Sequence, residues 1–233
     1  NAVIYAAGNI GLRVSSFLMI PLYTHFLSLS DFGLLSTLLL TIQVLMLVMG
    51  IGTATSMVRF AKEYEERQEM ATLIGSMVAI CLCNCILISS VIIFFSETLF
   101  RHILHTDQVS QYISLTCFAA ASQSIFISTL SYFRARNEGL KFTTAAVSAA
   151  ILLLIINWCL LVIFEMGVAG VLIAQIVTYG GMWLLLFLRI AWQTGICVRV
   201  QTLQRLFIFG FPLIFAMVGS IATDTSAIYF LRD

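Results

Sequence analysis

Between Glu69 and Glu97 the chain runs through MATLIGSMVAICLCNCILISSVIIFFS without a single charged residue. A run longer than the ~20 residues that cross ~30 Å of hydrocarbon at 1.5 Å per residue leaves few folds open. Other apolar runs of similar length precede and follow it. Only 10% of the residues are charged against 61% hydrophobic, and the mean hydropathy is +1.03. A soluble domain carries about 25% charged residues, so this chain cannot cover a water-facing surface. The first run is followed by more spans and is therefore no cleaved signal peptide. The short segments of alternating polarity that build a membrane β-barrel are missing from the sequence. The fold class is an all-α membrane protein, a polytopic helical bundle.

Seven spans are expected, at about 4–27, 32–57, 72–96, 111–133, 142–164, 167–188 and 207–231. The connectors after spans two, four and six hold Arg59, Lys62 and Arg67; Arg134, Arg136 and Lys141; and Arg189, Arg199 and Arg205. Those after spans one, three and five hold only Arg101. Nine basic residues against one predicts that the N-terminus and the basic connectors are cytoplasmic. A net charge of +1 spread over such clusters gives no reason to expect a nucleic-acid partner. RFAKEYEERQEMA, from Arg59, reads as a solvated helix continuing span two, because Lys62–Glu66 and Glu63–Arg67 are spaced four apart. FRHILHTDQ, with His102 and His105, reads as the one sizeable outer connector, a surface turn rather than a metal site. TGICVRVQTLQRLFIFG mixes apolar and basic residues as an interfacial linker does. It divides the chain into a six-span unit (1–190), a linker (191–206) and a single helix (207–233). A start at Asn1, close to a span, and an end at Asp233, just after one, suggest a fragment.

Cys81, Cys83, Cys85, Cys117 and Cys159 fall inside apolar runs and read as small hydrophobes, with no metal expected. Cys81 and Cys85 share a helix face, and Cys83 points away. Ala145, Ala146, Ala149 and Ala150, and Ser124 with Ser128, form the small-xxx-small pairs that let membrane helices approach closely.

The candidate site centres on Arg13. An arginine at the middle of a membrane helix costs roughly 2.5–3.5 kcal/mol on insertion scales. With its span starting near residue 4, Arg13 is about 14 Å deep, too deep for easy snorkelling. Asn9, Arg13, Ser16 and Tyr23 follow a helical stripe, and Pro21 is expected to kink the helix one turn after Phe17. A water-filled cavity, an interhelical hydrogen bond and snorkelling all remain open, with the stripe and kink favouring the cavity. Asp224 lies about 25 Å along the seventh span, roughly 10 Å further out than Arg13. Too distant for a direct salt bridge, it reads as a cation or vestibule site.

GNIGLRVSSFLMIPLYTHFLSLSDFGLLS resembles the first-span signature of polysaccharide biosynthesis proteins, the lipid-linked oligosaccharide flippases of the multidrug/oligosaccharidyl-lipid/polysaccharide exporter superfamily. Pro21-Leu22-Tyr23-Thr24 and Asp31-Phe32-Gly33 carry the match, with GIGTATSMVRF at Gly50–Phe60 and FGFPLIFAMVGS at Phe209–Ser220. His25 stands where the family often has a basic residue, and Ala227-Ile228 where it often has Asp-Arg. The resemblance implies the first six-helix lobe of a two-lobed exporter plus the first helix of the second lobe. It also implies alternating access and a cationic cavity for the pyrophosphate of a polyprenyl-linked glycan, contacted by Arg13, Asn9, Ser16 and Arg59. A multi-pass protein of the cytoplasmic membrane is implied, without cofactor, in contact with membrane lipids and working beside a polysaccharide polymerase or glycosyltransferases. A drug or organic-cation antiporter of the same superfamily is the nearest rival, but it would want acids inside spans one to six. Asp31, Glu97 and Glu165 sit only at span edges. An enzyme would want clustered His, Asp or Glu, whereas the three histidines are scattered. A non-transporting scaffold fits everything but the cost of burying Arg13.

Overall fold

The computed structural model describes residues 19–61, 63, 67–103, 107–213 and 219, and the described secondary structure is helical without a strand. α1 covers 19–26, α2 Leu29–Gly50, α3 Thr53–Phe60, α4 Arg67–Ile103, α5 Asp107–Ala135, α6 Gly139–Trp158, α7 Gly167–Thr194 and α8 200–213. Five helical stretches among the described residues are long and apolar enough to cross a membrane, and the protein is multi-pass. α5 is the central one. In its apolar window 61% is buried, against 17–39% in the other four. Ile86, Leu87, Val91 and Phe94 keep an exposed apolar stripe along α4, which suits lipid rather than water.

The expected continuous second span is corrected by a break. α2 ends at Gly50, Ile51 and Gly52 both adopt left-handed backbone (φ 43° and 58°), and α3 restarts at Thr53. A β-branched residue rarely takes positive φ, so something must hold it there. Asn84 of α4 does so, donating from Nδ2 to the Val48 carbonyl at 3.0 Å and the Met49 carbonyl at 2.7 Å. These are among the carbonyls that a helix end leaves unpaired. Thr53 and Ser128 then share a hydroxyl hydrogen bond of 2.7 Å that ties α3 to α5. Asn84→Leu is expected to expose that cost, lowering stability by about 1–3 kcal/mol in thermal unfolding of the detergent-purified protein. An unchanged midpoint would show that the break holds itself.

A second correction concerns the helix expected to run on from span two. α3 stops at Phe60, and Ala61 and Glu63 turn out of the helix, while Lys62 and Glu66 of the expected pairs lie outside the described residues. Folding the chain back here puts Ala61 and Met70 into one buried cluster with Met57, Phe133, Ile190 and Leu206, an apolar gain that exposed charge pairs cannot match. FRHILHTDQ, expected as a surface turn, is helical on both sides of residues 104–106, which lie outside the described residues. α4 stays helical to Ile103, and α5 begins at Asp107.

Among the described residues, hydrophobic packing falls into two clusters. One gathers Met19, Tyr23, Leu35, Ile42, Cys85 and Val171. The other lies where the basic connectors meet, here called the basic end, and includes Phe142, Ala145, Ala146 and Ala149. Cys81 and Cys85 are buried while Cys83 is exposed, as the helical spacing requires. Both small-residue stripes are buried in the bundle, with Ser124 and Ser128 each 3% exposed.

After α7, Gly195–Arg199 leaves the helix and lies against the start of α4. The Cys197 amide donates to the Ala71 carbonyl at 3.4 Å and the Arg199 amide to Ser76 Oγ at 3.3 Å. Residues 200–206 are already helical, with Thr202 and Leu206 buried.

Candidate functional site

Four helical repeats converge on one cavity. Met19 and Tyr23 on α1, Leu39 and Gln43 on α2, and Gln175 and Tyr179 on α7 are each spaced i, i+4, which puts each pair on one face. Ile42 and Met46 repeat that spacing on α2, and Gln123 of α5 and Leu153 of α6 complete the wall. The cavity is half open, with a volume of about 290 Å³. Gln43 is exposed at its mouth and Gln123 half-buried, while Tyr23, Gln175 and Tyr179 are buried. Gln175 Oε1 has no hydrogen-bond partner among the described residues, and the residue is only 8% exposed. The Tyr179 ring is held by Phe126 at 5.5 Å between centroids. Among the described residues, no carboxylate, arginine, lysine or histidine lines the cavity. It offers neutral donors, neutral acceptors and two aromatic rings.

Of the site residues expected from sequence, Tyr23 is the member of the polar stripe that lines this cavity. Asn9, Arg13 and Ser16 lie outside the described residues, as do Asp224 and the Phe17 position of the expected kink. Arg59 is described and exposed, its guanidinium carbon 4.9 Å above the Phe209 ring of α8. It therefore marks the meeting of α3 and α8 at the basic end, away from the cavity wall. A second open hollow lies beside it, lined by Phe60, Glu63, Arg205, Phe209 and Pro212.

The Asp31-Phe32-Gly33 triplet has a structural job. Ser28 Oγ accepts from the Asp31 amide at 3.1 Å and donates to the Asp31 carboxylate at 2.7 Å, which caps α2. At the basic end, Glu138 pairs with Lys141 at 3.0 Å and Arg136 at 3.8 Å, closing the α5–α6 turn.

Reading the sequence for ionisable groups missed Gln43, Gln123 and Gln175. Each is an amide isolated in an apolar run, TIQVL, AASQSIF and VLIAQIVTY. An amide inside a membrane span needs an internal partner, and that was the available signal.

A family model described as polysaccharide biosynthesis protein matches residues 1–232. The chain belongs to that family. No curated protein matches the sequence. Among solved structures, the polysaccharide biosynthesis fold seen here is similar to the Vibrio cholerae MATE transporter VcmN in its bent form. The TM-score is 0.77 at 18% identity, over 98% of this chain and 55% of that one. It is also similar to a MOP superfamily transporter from Pyrococcus furiosus described for the reversed polarity of its binding pocket, with TM-score 0.76, 15% identity, and 95% and 52% of the two chains. An outward-facing multidrug resistance MATE family transporter of the MOP superfamily gives the same values, 0.76, 15%, 95% and 52%. The chain spans just over half the length of each of these transporters. Family and fold therefore coincide in a MATE-like helical lobe.

Proposed function

We propose that this chain is part of a membrane transporter that moves a polyprenyl-pyrophosphate-linked oligosaccharide across the cytoplasmic membrane by alternating access, for surface polysaccharide synthesis. The observation that carries the reading is a cavity wall without a carboxylate among the described residues, in a chain of the polysaccharide biosynthesis family. An exporter of organic cations gains selectivity from carboxylates in its lobe, because desolvating a cation without a counter-charge is costly. The wall here supplies amides and phenols instead. On this reading Arg13, with Asn9 and Ser16, grips the pyrophosphate, Arg59 is a second contact at the cytoplasmic mouth, and Asp224 belongs to the outer vestibule. A guanidinium suits that role because its planar fork pairs bidentately with phosphate oxygens. No cofactor or enzymatic step is needed. The protein works among membrane lipids, and the class of substrate implies a polysaccharide polymerase or glycosyltransferases as neighbours.

The MATE-like fold favours a second reading, a drug or organic-cation antiporter. Proteoliposomes separate the two. The glycan reading expects time-dependent movement of a fluorescent polyprenyl-pyrophosphate oligosaccharide and no efflux of tetraphenylphosphonium above empty liposomes. Cation efflux without lipid movement would reverse the assignment.

Orientation is testable in the same cells. A single cysteine at Arg136, in a cysteine-free background, is expected to resist an impermeant maleimide until the membrane is opened, while one at His105 reacts at once. Labelling of position 136 in intact cells would invert the topology.

A further inference from the structure

We propose that two adjoining hollows at the basic end form one site for a zwitterionic phospholipid, with its headgroup between Glu63, Glu69, Arg199 and Arg205 and an acyl chain along α8. The site stands apart from the glycan reading, because it uses neither the cavity wall nor Arg13. The sequence of α8 sets its apolar part. Thr202, Leu206 and Gly210 recur every four residues and are buried where the helix docks. The neighbouring face, Arg205, Ile208, Phe209 and Pro212, follows i, i+3, i+4, i+7 and lines the open hollow beside Arg59. That stripe runs about 10 Å from Arg205 to Pro212 at 1.5 Å per residue. Ile208 is 72% exposed on it, apolar surface that an acyl chain covers favourably.

The adjoining hollow has the opposite character. Glu63, Glu69, Arg199, Gln201, Thr202 and Arg205 line it, and Glu63 and Arg205 belong to both hollows. A polar pocket therefore opens into an apolar groove, the order in which a phospholipid presents headgroup and chain. The depth agrees. Glu69 is the first residue of one membrane-crossing stretch and Thr194 the last of another, so the pocket sits at the edge of the hydrocarbon. All four charged side chains are exposed, and no ion pair joins any of them to another described residue. Two guanidiniums can donate charge-assisted hydrogen bonds to a phosphate, and two carboxylates can accept them from a primary ammonium. Phosphatidylethanolamine carries both groups side by side. Phosphatidylglycerol brings the phosphate alone and sets its negative charge against the carboxylates without an ammonium to offset them.

The test titrates the full-length protein in detergent with palmitoyl-oleoyl phosphatidylethanolamine and with the matching phosphatidylglycerol, and counts bound lipid by native mass spectrometry. Phosphatidylethanolamine is expected to bind saturably and more tightly than phosphatidylglycerol. Glu63→Gln combined with Glu69→Gln should weaken it by about tenfold or more, the scale of hydrogen bonds to a charged group, and leave phosphatidylglycerol held as well or better. Arg199→Gln combined with Arg205→Gln should weaken both lipids. Ile208→Asp should weaken both without changing their ratio. All five positions are exposed, so unfolding midpoints should match wild type and separate lost binding from lost fold. A preference for phosphatidylglycerol, or phosphatidylethanolamine binding that survives both double variants, overturns the site. Absence of any saturable lipid also overturns it and leaves the hollows to another segment of this chain. Farnesyl pyrophosphate is the last probe. If it binds more tightly than phosphatidylethanolamine, depends on Arg199 and Arg205 and ignores the glutamates, the hollows belong to a polyprenyl pyrophosphate and the proposal falls.

Discussion

Gly210→Ala is expected to disrupt the basic end more than any other one-carbon change in the described residues. A Cβ at Gly210 would overlap the Ile51 carbonyl oxygen, which is backbone and already committed to the left-handed break between α2 and α3. Gly52 meets Gly210 from the other side, where a Cβ would come 3.0 Å from the Gly210 oxygen. Two backbones thus cross where side chains are excluded, as small residues allow between membrane helices. Overpacking of a core costs about 1–3 kcal/mol when side chains can yield, and the upper value or more is expected here because none can. Gly75→Ala should act similarly, since its Cβ would overlap the Cys197 carbonyl of the linker. In that variant the segment Gly195–Arg199 should become sensitive to protease before the helices unfold. Gly33→Ala is the control: its Cβ meets nothing within 4 Å, so its midpoint should stay within about 0.5 kcal/mol of wild type. Equal midpoints for Gly210→Ala and Gly33→Ala would show that α8 does not dock on the break.

That crossing also marks where sequence reading stopped. Apolar length alone placed spans two to six, because hydrocarbon thickness fixes how many apolar residues a helix needs, while most of spans one and seven lies outside the described residues. Helical spacing was enough to bury Cys81 and Cys85 and expose Cys83. Neither signal can see the break at Ile51, since Leu35 to Met57 carries no charge whether the helix is continuous or interrupted. Its cause lies in Asn84, a distant amide whose purpose appears only when α4 is laid beside α2. The Glu63–Arg67 spacing suggested one long helix, but worth only a few tenths of a kcal/mol, it yields to burial of Ala61 and Met70. The cavity glutamines were legible as isolated amides, yet charge drew attention to Arg13 first. Among the described residues Asn157 and Thr178 are buried without partners too, and no residue pattern marks Gln175 out from them as a wall residue until the cavity is seen.

The account as a whole turns on whether Arg13 holds an anionic headgroup. Arg13→Lys keeps the charge but loses the planar fork, and Arg13→Ala loses both. Surface polysaccharide export, measured in cells that depend on this protein and normalised to its membrane abundance, is expected to fall in the order wild type, Lys, Ala. The alanine variant should lose about tenfold or more, the scale of a hydrogen bond to a charged group. Abundance should stay level across the three, whereas a structural arginine would take abundance down together with export. Normal export by Arg13→Ala at normal abundance would contradict the pyrophosphate contact and leave snorkelling as the reason a cation sits in that span.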